Sequence, residues 1–151
     1  MGQWNSTEEI LDFAIQNEEK AAAFYTDLAA KMGSASMSEV FEGFAREEQG
    51  HKAKLVRVKE SGAMEQASQA VLDLKIGDYL VEGEPGPDMD YQDALILAMK
   101  QEKAAFKLYT DLAAAAPDED LRGLLLALAQ EEAKHKLRFE VEYDDRILTE
   151  N

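Results

Sequence analysis

The sequence predicts an all-α protein, a four-helix bundle made of two repeated helical hairpins with a long crossover between helices two and three. Three observations lead there. The 151 residues are rich in Ala, Leu, Glu and Lys and hold only three prolines, a composition that favours helix. The hexapeptide YTDLAA occurs at Tyr25–Ala30 and again at Tyr109–Ala114, a shift of 84 residues. Along each copy, apolar residues return at alternating spacings of three and four, the period of a helix facing a core. Two copies are too few for a solenoid. A duplicated hairpin closing on itself is the economical solution.

The helix ends are readable in order. Helix one is predicted from about Ser6 to Lys31, with Ser6 and Glu9 forming a capping box and Gly33 ending it. Helix two begins near Ser36, with Glu39 as the second member of another capping box, and runs to about Glu60 before Ser61-Gly62. Helix three starts at Asp90, the repeat partner of Ser6, and ends by Ala116. Helix four runs from about Asp118 to Asp144, with Pro117 near its first turn. Each is roughly 25 residues, nearly 40 Å at about 1.5 Å per residue. Short connections make helices one and two, and three and four, antiparallel neighbours. The middle connection is long, and EGEPGPD (Glu82 to Asp88) breaks it clearly. VLDLKIGDYLV within it is apolar enough to pack, as a short helix. One domain is expected over 1–151, with hairpins at 6–60 and 90–144 and the crossover at 61–89.

Composition narrows the function. With no cysteine, the chain offers no disulfide, no zinc–thiolate site and no Cys-held iron–sulfur cluster. Thirty-one acidic against sixteen basic residues give a formal net charge of −15, which repels nucleic acid and anionic lipid and attracts cations. No apolar run approaches the ~20 residues that span a bilayer. Gly2 and Ser6 satisfy the loose myristoylation pattern, but no basic patch follows as a second anchor. The helix cap is the better account of Ser6. A cytoplasmic protein without nucleic-acid or membrane partners is expected.

Charged residues then appear where apolar ones belong. The stripe of helix one is Leu11, Ala14, Glu18, Ala21, Tyr25 and Leu28; the shift of 84 turns it into Leu95, Ala98, Glu102, Ala105, Tyr109 and Leu112. Helix two gives Phe41, Phe44, Glu48, His51, Leu55 and Val58, and helix four Leu125, Leu128, Glu132, His135 and Phe139. Four carboxylates and both histidines of the chain therefore lie on core stripes, near the middle of their helices. Isolated buried carboxylates are costly unless protonated, paired or bound to metal. No Lys or Arg shares the stripes. A single Glu-x-x-His is usually a solvated pair, but here stripe position, spacing and the shift of 84 all agree.

Two Glu-x-x-His helices with two single-Glu helices are the donor set of dinuclear carboxylate sites in ferritin-like bundles. Carboxylate oxygens with one imidazole per metal suit Fe(II) or Mn(II). In this arrangement Glu48 and Glu132 bridge two metals, Glu18 with His51 terminates one, and Glu102 with His135 the other. At these residues the sequence resembles the rubrerythrin family of ferritin-like proteins, in its form without a rubredoxin domain. The carriers are EEQGH, EEAKH, Glu18, Glu102, Tyr25, Tyr109 and the LKIGDYLVEGEPGPDMDYQDAL segment entering helix three. The resemblance implies a non-haem centre of two iron ions, oxo- or hydroxo-bridged when oxidised, with manganese as the alternative metal. It implies reduction of hydrogen peroxide or O₂ with oxidation of Fe(II), electrons from a separate rubredoxin-like donor, and a homodimer that the long crossover allows to exchange hairpins. It also implies Tyr25 and Tyr109 as hydrogen-bond partners of bridging carboxylates. Glu47 and Glu131, next to the bridges, are candidates to orient the histidines.

The family carries a further glutamate one turn after the terminal ligand of helix three. Ala105 stands there, with Ala21 as its repeat partner, so the expected centre is symmetric and nearer to a bacterioferritin-type ferroxidase centre. A di-iron oxidoreductase is the leading functional expectation. Iron storage with ferroxidase activity alone is the second, and no fifth long helix is predicted to support it. A metal-free structural bundle is the third.

Overall fold

A computed structural model describes residues 4–31, 35–65, 67, 69–83 and 89–145. The regular elements among them are helical. In order they are α1 (Thr7–Lys31), α2 (Ala35–Ser61), a single turn α3 (Gln69–Leu72), a 3-10 turn (Ile76–Tyr79), α4 (Tyr91–Ala114) and α5 (Glu119–Tyr143). The chain divides into two compact units, Trp4–Leu72 and the residues from Asp73 onward. Each unit holds one of the two hairpins, α1 with α2 and α4 with α5.

The caps explain the helix starts. Ser6 Oγ accepts from the Glu9 backbone N–H at 3.2 Å. The Glu9 carboxylate reaches back one residue further than a capping box requires, accepting from the Asn5 backbone N–H at 2.9 Å. Asp90 caps α4 by accepting from the Asp93 N–H at 2.8 Å, and Asp118 caps α5 by accepting from the Leu121 N–H at 2.8 Å. Pro117 therefore directly precedes the cap, near the first turn as expected. Helix α2 is described from Ala35, one residue before Ser36, near which it was expected to begin. Gly33, the expected end of helix one, and Gly2 lie outside the described residues, as do residues 84–88 of the predicted breaker. Helix α2 ends at Ser61, where Gly62 adopts a φ of 71° and its N–H donates to the Lys59 carbonyl at 3.2 Å. That left-handed step suits glycine and turns the chain out of the helix.

Within the first hairpin, α1 and α2 are tied by ion pairs Lys59–Asp12 at 2.7 Å and Lys52–Glu19 at 2.8 Å. Ser38 Oγ donates to the Ala29 carbonyl at 2.9 Å, and the Tyr25 and Phe44 rings meet edge-on at 6.2 Å. In the second unit, Tyr79 at the end of the 3-10 turn is buried and donates its hydroxyl to Asp111 of α4 at 2.7 Å. Lys107 shares that carboxylate at 2.9 Å and lies over the Tyr79 ring. The apolar crossover segment is thus pinned to α4.

The core follows the predicted stripes. Leu11, Ala14, Ala21, Tyr25 and Leu28 are buried on α1, and Leu95, Ala98, Tyr109 and Leu112 on α4. Phe41, Leu55 and Val58 are buried on α2, and Leu125, Leu128 and Phe139 on α5. Phe44 and Ala105 are only half-buried. Helix α5 also carries apolar side chains on the face turned from its core, with Leu126, Leu137 and Val141 all exposed; the shift of 84 places Glu42, Ala53 and Arg57 at these positions in α2.

Candidate metal centre

All six ligand candidates are buried. Glu18, Glu48, His51, Glu102, Glu132 and His135 are 1–2 % exposed. Each helix supplies its groups by periodicity. On α2, Glu48 and His51 are three residues apart and so share one face, as do Glu132 and His135 on α5. Glu18 sits on the stripe of α1 that faces α2, and Glu102 on the stripe of α4 that faces α5.

In the first hairpin, His51 Nδ1 lies 3.4 Å from Glu18 Oε2 and 3.5 Å from Glu48 Oε1. In the second, His135 Nδ1 lies 3.4 Å from Glu102 Oε2 and 3.8 Å from Glu132 Oε1. The duplication seen in the sequence is thus a duplication of geometry. Each hairpin alone brings two carboxylate oxygens and one imidazole nitrogen within 4.8 Å of one another.

These separations fit a shared cation. Ligand atoms about 2.1 Å from one ion stand roughly 3.0 Å apart across a right angle and ~3.4 Å apart at a tetrahedral angle. The donor set points the same way. Carboxylate oxygen and imidazole nitrogen without thiolate suit iron or manganese. Glu18, Glu48 and His51 are fitted to hold one such ion, and Glu102, Glu132 and His135 another.

The supporting candidates divide. Tyr25 and Tyr109 are fully buried, at 0 % and 1 % exposure, two turns along the stripe from Glu18 and Glu102. Glu47 is exposed and Glu131 half-buried. Sequence reasoning missed Glu142, a carboxylate only 5 % exposed on α5, two turns beyond His135 on the same stripe. Its repeat partner is Val58, so the signal that found the other six was missing. Stripe position alone could have found it.

Comparison with known proteins places the fold and then the family. A Thermotoga maritima protein provisionally described as a ferritin-like diiron-carboxylate protein aligns over 97 % of this chain and 98 % of its own, with a TM-score of 0.73 and 19 % identity. A hypothetical protein of Pyrococcus furiosus aligns over 93 % of this chain and 89 % of its own, with a TM-score of 0.69 and 26 % identity. The chain therefore has the ferritin-like all-α fold. No curated protein matches it. The Rubrerythrin family matches residues 9–84, half of the chain, and the chain belongs to that family. The matched span contains Glu18, Glu48 and His51; the internal repeat carries the same pattern into the second hairpin.

Proposed function

We propose that the protein is a non-haem di-iron oxidoreductase that reduces hydrogen peroxide or O₂ while Fe(II) is oxidised. The observation that carries this reading is the pair of buried Glu, Glu, His clusters, one per hairpin, built from the same spacing. In this reading the chain would hold two ions, with Glu48 and Glu132 as the bridging ligands. Glu18 with His51, and Glu102 with His135, terminate them. When bound, a pair of Fe(II) ions would supply the two electrons that cleavage of one O–O bond needs.

The chain's own groups have defined tasks. Four carboxylates balance the charge of two divalent ions, so the buried site approaches neutrality when loaded. Each histidine presents Nδ1 to the ligand oxygens and binds metal as neutral imidazole. Buried Tyr25 and Tyr109 are proposed to donate their hydroxyls to bridging carboxylates, which fixes carboxylate orientation while oxygen chemistry proceeds. The small side chains Ala21 and Ala105 leave the centre with the same ligands at both ends. That symmetry favours iron oxidation over a cycle in which a ligand exchanges at one metal only. A rubredoxin-like electron donor and a second copy of the chain are the partners this reading calls for.

The test is rapid mixing of anaerobically Fe(II)-loaded protein with peroxide and, separately, with O₂. Fast reoxidation at about two irons per chain with repeated turnover is expected. Uptake of many irons per chain as mineral overturns the reading in favour of storage. Elemental analysis well below two metals per chain after loading overturns both. Glu132→Ala is expected to lower occupancy at both metal positions, since a bridge serves both; a loss at one position only contradicts the bridging assignment.

A further inference from the structure

The outer face of the first hairpin carries a groove of about 560 Å³ between α1 and α2. Glu18 lines it together with Ala22, Ala23, Gln49, Lys52 and Ala53. Glu18 is otherwise buried, at 2 % exposure, so the groove brings solvent to the edge of a proposed metal ligand. Small side chains make it possible. Ala23 and Ala53 are exposed and leave the gap between the helices unfilled.

The repeat provides an internal comparison. At the shift of 84, Ala22 becomes Phe106, Ala23 becomes Lys107 and Ala53 becomes Leu137. Phe106 and Leu137 are 41 % and 60 % exposed, so bulk on the outer face of the second hairpin occupies the positions that are small in the first. Charge changes with size. Glu19 of the first hairpin corresponds to Lys103 of the second.

The lining of the first groove suits a cation. Glu19 and Asp27 add carboxylates, and the Thr26 hydroxyl donates to the Ala22 carbonyl at 2.8 Å, which leaves its oxygen as an acceptor. Lys52, the groove's cation, pairs with Glu19 at 2.8 Å. Both side chains are about half exposed, and an ion pair of that kind is weak because water screens it. Thermal opening of the pair uncovers a carboxylate at the mouth.

We propose that this groove is the entrance by which a hydrated divalent cation, Fe(II), reaches the metal centre, at its Glu18 end. The entrance is one-sided: the second hairpin, with Phe106, Leu137 and Lys103 at the matching positions, is not an equivalent route. The inference rests on the metal centre proposed above, and its test separates the two.

Co(II) serves as the probe, its ligand-field absorption being followed after rapid mixing with metal-free protein. Ala53→Leu and the double variant Ala23→Lys/Ala53→Leu rebuild the second hairpin's surface on the first. Ala53→Ser keeps the side chain small. Far-UV circular dichroism establishes equal helicity. The double variant is expected to take up Co(II) at least about tenfold more slowly, equivalent to a barrier raised by ~1.4 kcal/mol. Ala53→Ser keeps the wild-type rate, and all variants reach the same final absorbance. Equal rates in all four proteins overturn the entrance and leave the centre standing. A slower rate with a reduced endpoint also overturns it, because the substitution then damages the site and not the access. Absence of Co(II) bands in the wild-type protein removes the centre and the entrance together.

Discussion

At Glu102 the side chain is 1 % exposed, on a stripe otherwise formed by Leu95, Ala98, Tyr109 and Leu112. Burying that carboxylate is costly unless it is paired, hydrogen-bonded or bound to a cation, and His135 Nδ1 lies 3.4 Å from it. Glu102→Leu removes the carboxylate and supplies no donor in its place, so the variant is expected to lose metal at that end of the proposed centre. Elemental analysis after anaerobic Fe(II) loading checks this, and an unchanged metal content contradicts the assignment. Residues of this kind were legible in the sequence because they break an apolar stripe twice, at the same place in two copies. Glu142 breaks it once, opposite Val58, and so went unnoticed.

Helix existence was legible from periodicity, and helix ends from side chains that can accept a backbone N–H. Asp90 and Asp118 cap as their chemistry requires, and Asp118→Ala is expected to lower stability by about 1 kcal/mol, measured by urea denaturation. Pro117 stands one residue before the α5 cap and Ser36 one residue after Ala35, the first described residue of α2; sequence fixes such ends only to about a residue, since proline is tolerated both before the cap and after it, and serine both as cap and within a first turn. The crossover was the least legible element. Its apolar residues suggested packing, but nothing local announced that Tyr79 would donate to Asp111, 32 residues on. Burial, reinforced by the Asp111 hydrogen bond and charge, pushes the Tyr79 phenol above its ordinary value near 10. In the unfolded chain the phenol ionises near ~10, whereas in the folded protein it keeps its proton. Its contribution is complete below about pH 10 and is lost as pH rises through the folded pKa. Tyr79→Phe is expected to cost about 1 kcal/mol near neutral pH, with the gap from wild type narrowing above pH ~10. Urea midpoints at pH 8 and 10.5 measure both; a gap that widens at the higher pH contradicts the assignment.

For the whole molecule, the balance of charge decides how stability depends on metal. The chain carries a formal −15, and four buried carboxylates belong to the proposed centre. Loading is expected to stabilise the fold by about 2.7 kcal/mol when free metal stands at 100 times its dissociation constant. A chelator should reverse the gain and a noncoordinating salt should not reproduce it. Calorimetry with Mn(II), which avoids oxidation, checks this. No helix among the described residues is long and apolar enough to cross a membrane. At this scale the duplication was legible as a repeat, while its divergence was not. Ala53 against Leu137 is an unremarkable pair in sequence, and becomes informative only once both residues are placed on the outer faces of their hairpins.

The tyrosine that pins the crossover has a consequence for the order of synthesis. Tyr79 leaves the ribosome before Asp111, which receives its hydroxyl. At about 5–20 residues per second, its partner follows roughly two to six seconds later. During that interval the first hairpin, which already holds the ion pairs Lys59–Asp12 and Lys52–Glu19 and the Tyr25–Phe44 contact, can close on the microsecond scale of helix formation. The crossover has no anchor yet. Released chains truncated before residue 111 should therefore already protect α1 and α2 from protease while the segment around Tyr79 is still cut.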